Sequence, residues 1–319
     1  MFKTELCNLL NIKKPIFQGG MAWVATGELA AAVSKAGGMG IIGSGNAPAK
    51  VVKEEIRKVK KATEKPFAVN IMLLSPFAED IIQLVIEEKV PVITTGAGNP
   101  GKYMDRLKNN NIKVIPVVPS VALARRVERI GADAVIAEGN EAGGHIGNLT
   151  TMSLIPQISD ALNIPVIAAG GIGDGRGLVA AISLGADGVQ LGTRFVCAEE
   201  CTAHDNYKNA IIKAKDRDAV VTGRTTGHPV RNLKNKLTRK IDKMEKKGVD
   251  SEEIEKIGTD RLRQAVREGN IEKGSVMAGQ IAGMISEVQP AKTIIEEIID
   301  QAEKIVQRNN NIFGVNNND

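Results

Sequence analysis

Aromatic residues make up only 3% of this 319-residue chain, and cysteine and histidine occur three times each. So few rings leave no set of stacking platforms for unpaired bases, which excludes a nucleic-acid binder of the usual kind even with a net charge of +5. The cysteines, Cys7, Cys197 and Cys201, are odd in number and show no paired metal spacing, which argues against a disulfide framework or a zinc site and leaves free thiols. His145, His204 and His228 lie too far apart to form a helical metal-ligand pair, so no catalytic metal is expected from motifs. Apolar runs approaching the roughly 20 residues of a membrane span are also missing. The first residues, MFKTELCNLL, lack the pattern of a signal peptide, and a cytoplasmic protein is expected.

What is present is glycine, 33 residues of it, recurring after short β-branched runs. Eight such runs read as strands: Pro15–Gly20, Met39–Gly43, Phe67–Leu73, Val90–Gly96, Lys113–Pro119, Ala134–Gly139, Pro165–Gly171 and Gly188–Thr193. Segments of helical spacing separate them, at Gly27–Ala36, Pro48–Thr63, Pro76–Glu88, Lys102–Asn109, Val121–Ile130, Met152–Leu162 and Arg176–Leu184. The strands are almost wholly apolar, as parallel strands covered on both faces must be. Eight strand–helix units predict an α/β TIM (β/α)8 barrel. The competing doubly wound sheet lacks its GxGxxG fingerprint in the first turn, GGMAWVATGE.

The pattern breaks after Phe195. Residues 201–273 are charged, helical in propensity and free of repeating strands, and are expected to form an inserted helical substrate or lid domain. Its apolar positions Leu237, Ile241, Met244, Ile254, Ile257 and Leu262 are placed to pack short helices onto the barrel. Residues 1–200 and 274–308 form the barrel in this reading, with a last helix from Ala291 to about Gln307 and a frayed tail at 309–319.

Active sites of such barrels lie at the carboxyl ends of the strands. Strand seven runs into AAGGIGDGRG and strand eight into QLGTRF, so Gly170, Gly171, Gly192 and Thr193 are candidate phosphate ligands through close backbone approach, although glycine also serves plain tight turns. In QGGMAW, Gly19, Gly20 and the flexible Met21 suit a backbone lying against a flat ring such as a flavin. Asn70 is out of place in FAVNIML and needs partners, from a ring edge or from neighbouring backbone. In AEGNEAGGHIG, Glu138 and His145 flank a loop that can turn both inward. His145 is the candidate catalytic residue, able to donate a proton or a hydrogen bond, against the alternative of a bracing loop histidine. Glu138 orients His145 or a cofactor hydroxyl, or else pairs with a backbone amide. His204 and His228, in the insertion, read as surface histidines.

Together FQGGMAW, GIIGSGNAP, VNIMLLSP, TTGAGNP, PVVPSVALA, AEGNEAGGHIG, AAGGIGDG, QLGTRF and GSVMAGQIAG resemble the flavin-dependent enoyl-acyl-carrier-protein reductase II family over nearly the whole chain. Several blocks are shared with the related nitronate monooxygenases, while GGMAW and GSVMAGQIAG favour the reductase. The resemblance implies bound FMN, NADH or NADPH as electron donor, and a trans-2-enoyl thioester on acyl carrier protein as acceptor, in bacterial fatty-acid elongation. It implies FMN contacts at Met21, Asn70, Gly170, Gly171, Gly192 and Thr193, with His145 beside the ring, a monovalent cation without assignable ligands, and a homodimer. Acyl carrier protein is acidic, and Arg231, Lys234, Lys236, Arg239, Lys240 and Lys243 supply positive charge on the insertion, interleaved with Asp242, Glu245, Glu252 and Glu253. The alternatives are a nitronate monooxygenase, which uses dioxygen, and a flavin- or phosphate-binding barrel without turnover.

Overall fold

Alternation within short apolar runs produces a sheet whose two faces are both buried, and here that sheet curls into a ring. The computed structural model describes residues 3–314. Eleven strands are present among them: β1 (Ile16–Gln18), β2 (Gly40–Gly43), β3 (Phe67–Met72), β4 (Val92–Gly96), β5 (Lys113–Val118), β6 (Val135–Glu138), β7 (Gly144–His145), β8 (Val166–Ala169), β9 (Gly188–Leu191), β10 (Ala219–Thr222) and β11 (Val230–Leu233). Eight of them form one parallel sheet in the order β1-β9-β8-β6-β5-β4-β3-β2. A parallel bridge from Phe17 to Met39 and a bond from Gln18 N to Met39 O, 3.0 Å, bring its two ends together as a TIM barrel.

Strand periodicity sorts the side chains. Val69, Ile93 and Val114 point out into one helix-facing core, and Val135, Val166 and Val189 into another. Phe17, Ile41, Ala68, Val92, Ile115, Ile136 and Ile167 point inward. A helix that the sequence reading did not mark, Glu5–Leu10, places Leu6, Cys7 and Leu10 in that same interior cluster, so the amino end of the barrel is stoppered.

The closing helix runs from Ala291 to Phe313, longer than the apolar stripe predicts, and so takes in the first residues of the expected frayed tail; residues 315–319 lie outside the described residues. It packs on the helix Gly175–Ser183, where Gly175 N donates to Gln301 Oε1 at 3.1 Å. No helix among the described residues is long and apolar enough to cross a membrane.

Residues 201–273 are mainly helical but also hold two strands that the periodicity did not reveal. β10 and β11 form an antiparallel hairpin, and β11 pairs with β7, which lies in the loop after β6. Leu237, Ile241 and Ile254 form a small core of their own with Met244, Val249 and Ile257, instead of packing on the barrel; Leu262 alone of the predicted positions joins the main core. Arg263 lies 5.9 Å from the ring of Trp23, the only tryptophan, and ties this segment to the loop after β1.

Candidate active site

Two residues beyond the interior apolar ring, the same inward face changes character. In that layer stand Gly19, Gly43, Asn70, Thr94, Val117, Glu138, Ala169 and Gln190, all at strand carboxyl ends. The registers Gly43–Asn70–Thr94 and Glu138–Ala169–Gln190 make them neighbours around the mouth. Asn70 Nδ2 donates to Thr94 Oγ1 at 2.9 Å, so its amide is held by a hydroxyl and not by neighbouring backbone, and its carbonyl oxygen is left free. The side chains of Glu138 and Gln190 have no hydrogen-bond partner among the described residues. Asn70, Glu138 and Gln190 thus stand in one layer of the mouth with polar atoms open to a ligand. Gln190 escaped the sequence reading although its setting, GVQL, carries the same signal as Asn70. Gln18, by contrast, is polar and structural: its amide bonds the backbone of Ile41 on both sides, at 3.1 and 3.2 Å.

Among the described residues Glu138 bonds neither His145 nor a backbone amide. Half-buried in the mouth, its carboxyl is pushed up to about 7 by desolvation alone. That leaves it able to accept or donate a hydrogen bond near neutral pH.

The loop after β1 lies flat across the strand ends. A side-chain carbon at Gly20 would fall 2.3 Å from Asn70 Cβ, and one at Gly43 2.5 Å from the Met21 carbonyl oxygen, so both close approaches require glycine. Met21 Sδ lies 3.5 Å from where a Gly192 Cβ would be, which joins this loop to the turn after β9. Gly170 and Gly171 adopt φ of +91° and +72°, the left-handed region, and a Cβ at Gly170 would sit 2.7 Å from Gly139 O. The amides of Gly171, Gly192 and Thr193 bond to no other described residue and form an anion cradle at the ends of β8 and β9. Thr193 contributes only its backbone: its hydroxyl accepts from Gly279 N at 2.8 Å and braces the loop GSVMAGQ against the site.

His145 sits on β7 at the rim, held from three sides. The Glu141 carboxylate accepts from Thr151 N and Oγ1, both at 2.9 Å; Gln280 N donates to Glu141 O at 3.0 Å; and Arg231 Nη2 donates to Asn140 O at 2.9 Å. Desolvation lowers the pKa of His145, and the neighbouring His228 lowers it further, which favours the neutral imidazole. The insertion thus brings His228 to the site, while His204 is structural, its Nδ1 capping the helix Asp205–Ile212 by accepting from Asn206 N at 3.0 Å. Arg231, read from sequence as a surface charge, is buried and occupied with the His145 loop. All three cysteines are buried and free, and burial pushes the Cys197 thiol up to about 12, far from a nucleophilic thiolate. No group of three or more potential metal ligands occurs among the described residues.

The site therefore offers an amide cradle for a phosphate, a flat backbone floor, a polar edge at Asn70 and Gln190, an ionisable carboxyl and a neutral imidazole at the rim. These fit the flavin mononucleotide expected from the sequence. Comparison with known proteins agrees in kind. The family model described as nitronate monooxygenase matches residues 3–83 and 77–301. A probable nitronate monooxygenase of Staphylococcus saprophyticus is 36% identical, over 96% of this chain and 99% of that protein. A carboxyl-CoA dehydrogenase of Mycobacterium tuberculosis is 34% identical, over 93% and 95%. The structure of FabK from Thermotoga maritima superimposes with a TM-score of 0.95 at 52% identity, covering 98% of this chain and all of that one. The chain belongs to the family of nitronate monooxygenases and enoyl-acyl-carrier-protein reductases II, oxidoreductases built on a TIM barrel.

Proposed function

We propose that this protein is an FMN-dependent enoyl-acyl-carrier-protein reductase that takes its electrons from NADH or NADPH. The observation that carries this reading is the 52% identity to FabK over the full length, against 36% to the probable nitronate monooxygenase. The relative named for a carboxyl-CoA substrate adds a thioester chemistry within the family.

FMN bound in the mouth supplies the means of passing a hydride from nicotinamide to the double bond. The chain's own residues do the rest. The amides of Gly171, Gly192 and Thr193 would hold the phosphate, and the floor from Gly19 to Met21 would support the flat ring. Asn70 and Gln190 would satisfy its polar edge, and Glu138 would meet a cofactor hydroxyl. His145 would donate a hydrogen bond or a proton toward the carbon next to the thioester from the rim, where its exposed ring takes the replacement proton from water.

The experiment is an anaerobic titration of the purified flavoprotein. NADH or NADPH is expected to bleach the flavin, and crotonyl thioester to restore its colour. A flavin untouched by either nucleotide but reduced by an alkyl nitronate makes the protein a nitronate monooxygenase, the reading favoured by the family model's description. Flavin retained with neither reaction makes it a binding barrel.

The acyl carrier protein docks, in this reading, on the helix Lys236–Lys246. The acids of that helix are already engaged: Asp242 pairs with Lys246 at 2.7 Å, and Glu245 accepts from Gly223 N and Thr225 N at 3.0 Å. Arg239, Lys240, Lys243 and Lys247 are exposed and have no ion-pair partner among the described residues, whereas Lys236 pairs with Glu272. Reversing the charge of Arg239 and Lys240 is expected to raise KM for the carrier-bound substrate about tenfold and to leave a coenzyme A thioester nearly unchanged. Equal effects on both substrates remove this docking face.

A further inference from the structure

Three loops of the mouth meet at one side chain. The loop that carries His145, residues 140–149, is closed at its neck by Asn140, whose N donates to Leu149 O at 2.8 Å and whose Nδ2 donates to Asn148 O at 3.1 Å. Arg231 seals the same neck, both Nε and Nη2 donating to Asn140 O. Glu141, the next residue, is not needed for that closure and reaches out of the loop instead. Its backbone oxygen accepts from Gln280 N, and its carboxylate accepts from N and Oγ1 of Thr151, where the helix Thr151–Ser159 begins. Thr151 Oγ1 also lies 2.9 Å from Gly170 O, in the turn after β8. That turn packs on the glutamate itself, since a Cβ on Gly171 would stand 3.3 Å from Glu141 Cβ. Gln280 follows Gly279, whose N donates to Thr193 Oγ1 in the turn after β9. Glu141 therefore joins the His145 loop to both turns of the amide cradle.

The charge of Glu141 does not account for its place. Its Cδ is 3.6 Å from where a Gly171 Cβ would be, so a carboxylate stands beside a cradle suited to anions and disfavours whatever anion enters. What the side chain supplies is length and two acceptor atoms that reach Thr151. A glutamine has the same length and completes the same connection: its oxygen accepts from Thr151 N, its amide donates to Thr151 Oγ1, and the threonine hydrogen is left for Gly170 O.

We propose that Glu141 is a positioning residue, which through Thr151 and Gly170 sets the His145 loop at a fixed spacing from the amide cradle. The proposal rests on the reading of the mouth as a flavin site and not on the choice of acceptor. A displacement of about 1 Å in a reacting group costs up to about a hundredfold in rate, so a link of this kind acts on catalysis without touching substrate.

The test compares Glu141→Ala, Glu141→Gln and Thr151→Val in the FMN-loaded protein. Ala removes the reach, and Val cuts the link to Gly170 at nearly constant volume. Both are expected to weaken FMN retention about tenfold in equilibrium dialysis, and at saturating FMN to lower kcat about tenfold with little change in KM for the acceptor that the flavin titration identifies. In hydrogen exchange, the amides of residues 141–146 are expected to open about tenfold faster in both, with the barrel strands unchanged. Glu141→Gln is expected to keep wild-type exchange and kcat and to bind FMN no more weakly. Wild-type exchange in the loop of Glu141→Ala or Thr151→Val, or an intact kcat at saturating FMN, overturns the proposal. Losses in Glu141→Gln equal to those in Glu141→Ala overturn it too, since they make charge the function of this position. If Glu141→Ala does not fold, Thr151→Val and Glu141→Gln decide. If the wild-type protein binds no FMN, it is the flavin reading that falls, and the exchange of the loop still decides whether Glu141 ties it to the turn at Gly170.

Discussion

The two ends of the barrel are built by the same strands and obey opposite rules. At the amino end, Phe17, Ile41, Ala68 and Val92 meet Leu6, Cys7 and Leu10 in a close-packed plug. At the carboxyl end, two residues along, Asn70, Glu138 and Gln190 face the mouth with polar groups left without partners. The plug stabilises the fold; the mouth leaves polar atoms open to a ligand. One strand period, about 6.6 Å, separates stability from function.

Three substitutions sharpen that contrast. Leu6→Ala in the plug removes a fully buried side chain and is expected to lower stability by about 2–4 kcal/mol in urea unfolding. Flavin content per folded molecule should be unchanged; a loss of flavin in step with stability means that the two ends are not independent. Gly170→Ala is smaller in stability and specific to the mouth. With φ at +91° and a carbonyl oxygen 2.7 Å from the new methyl, the turn after β8 must shift, costing about 1–3 kcal/mol and weakening FMN retention tenfold or more by equilibrium dialysis.

Glu138→Gln gives the smallest effect, with opposite sign. The folded-state pKa of Glu138, about 7, lies above the ordinary 4.5, so the native state binds the extra proton between those values. Stability of the flavin-free protein therefore falls as pH rises from about 4.5 to 7 and is level above. The amide has no such penalty, and the variant is expected to gain on wild type steadily as pH rises from 4.5 to 7. A pH-independent difference between the two removes the case for a desolvated carboxyl.

Local periodicity made the eight barrel strands, most of their helices and both glycine turns legible, because each is encoded within a few neighbouring residues. Asn70 was legible for the same reason, as a polar residue inside an apolar run, and Gln190 was equally so but masked by the shorter run GVQL. The β10–β11 hairpin was not, because four-residue strands set among charged helices carry too little alternation to separate from noise. The helix Glu5–Leu10 was missed since six residues hold less than two turns of pattern.

The chain by itself determined the barrel, the glycine turns after β8 and β9 and the choice of His145 as the residue to question, since these follow from strand periodicity and from glycine where a backbone must come close. Tertiary structure decided which charges are free and which distant segments lie side by side. Arg231 passes from surface cation to buried brace, Asp242 and Glu245 are taken up by near neighbours, and the segment of His228 comes beside that of His145 across 83 positions of sequence because β11 pairs with β7. Partnership of that kind depends on register between distant strands, which sequence spacing does not encode.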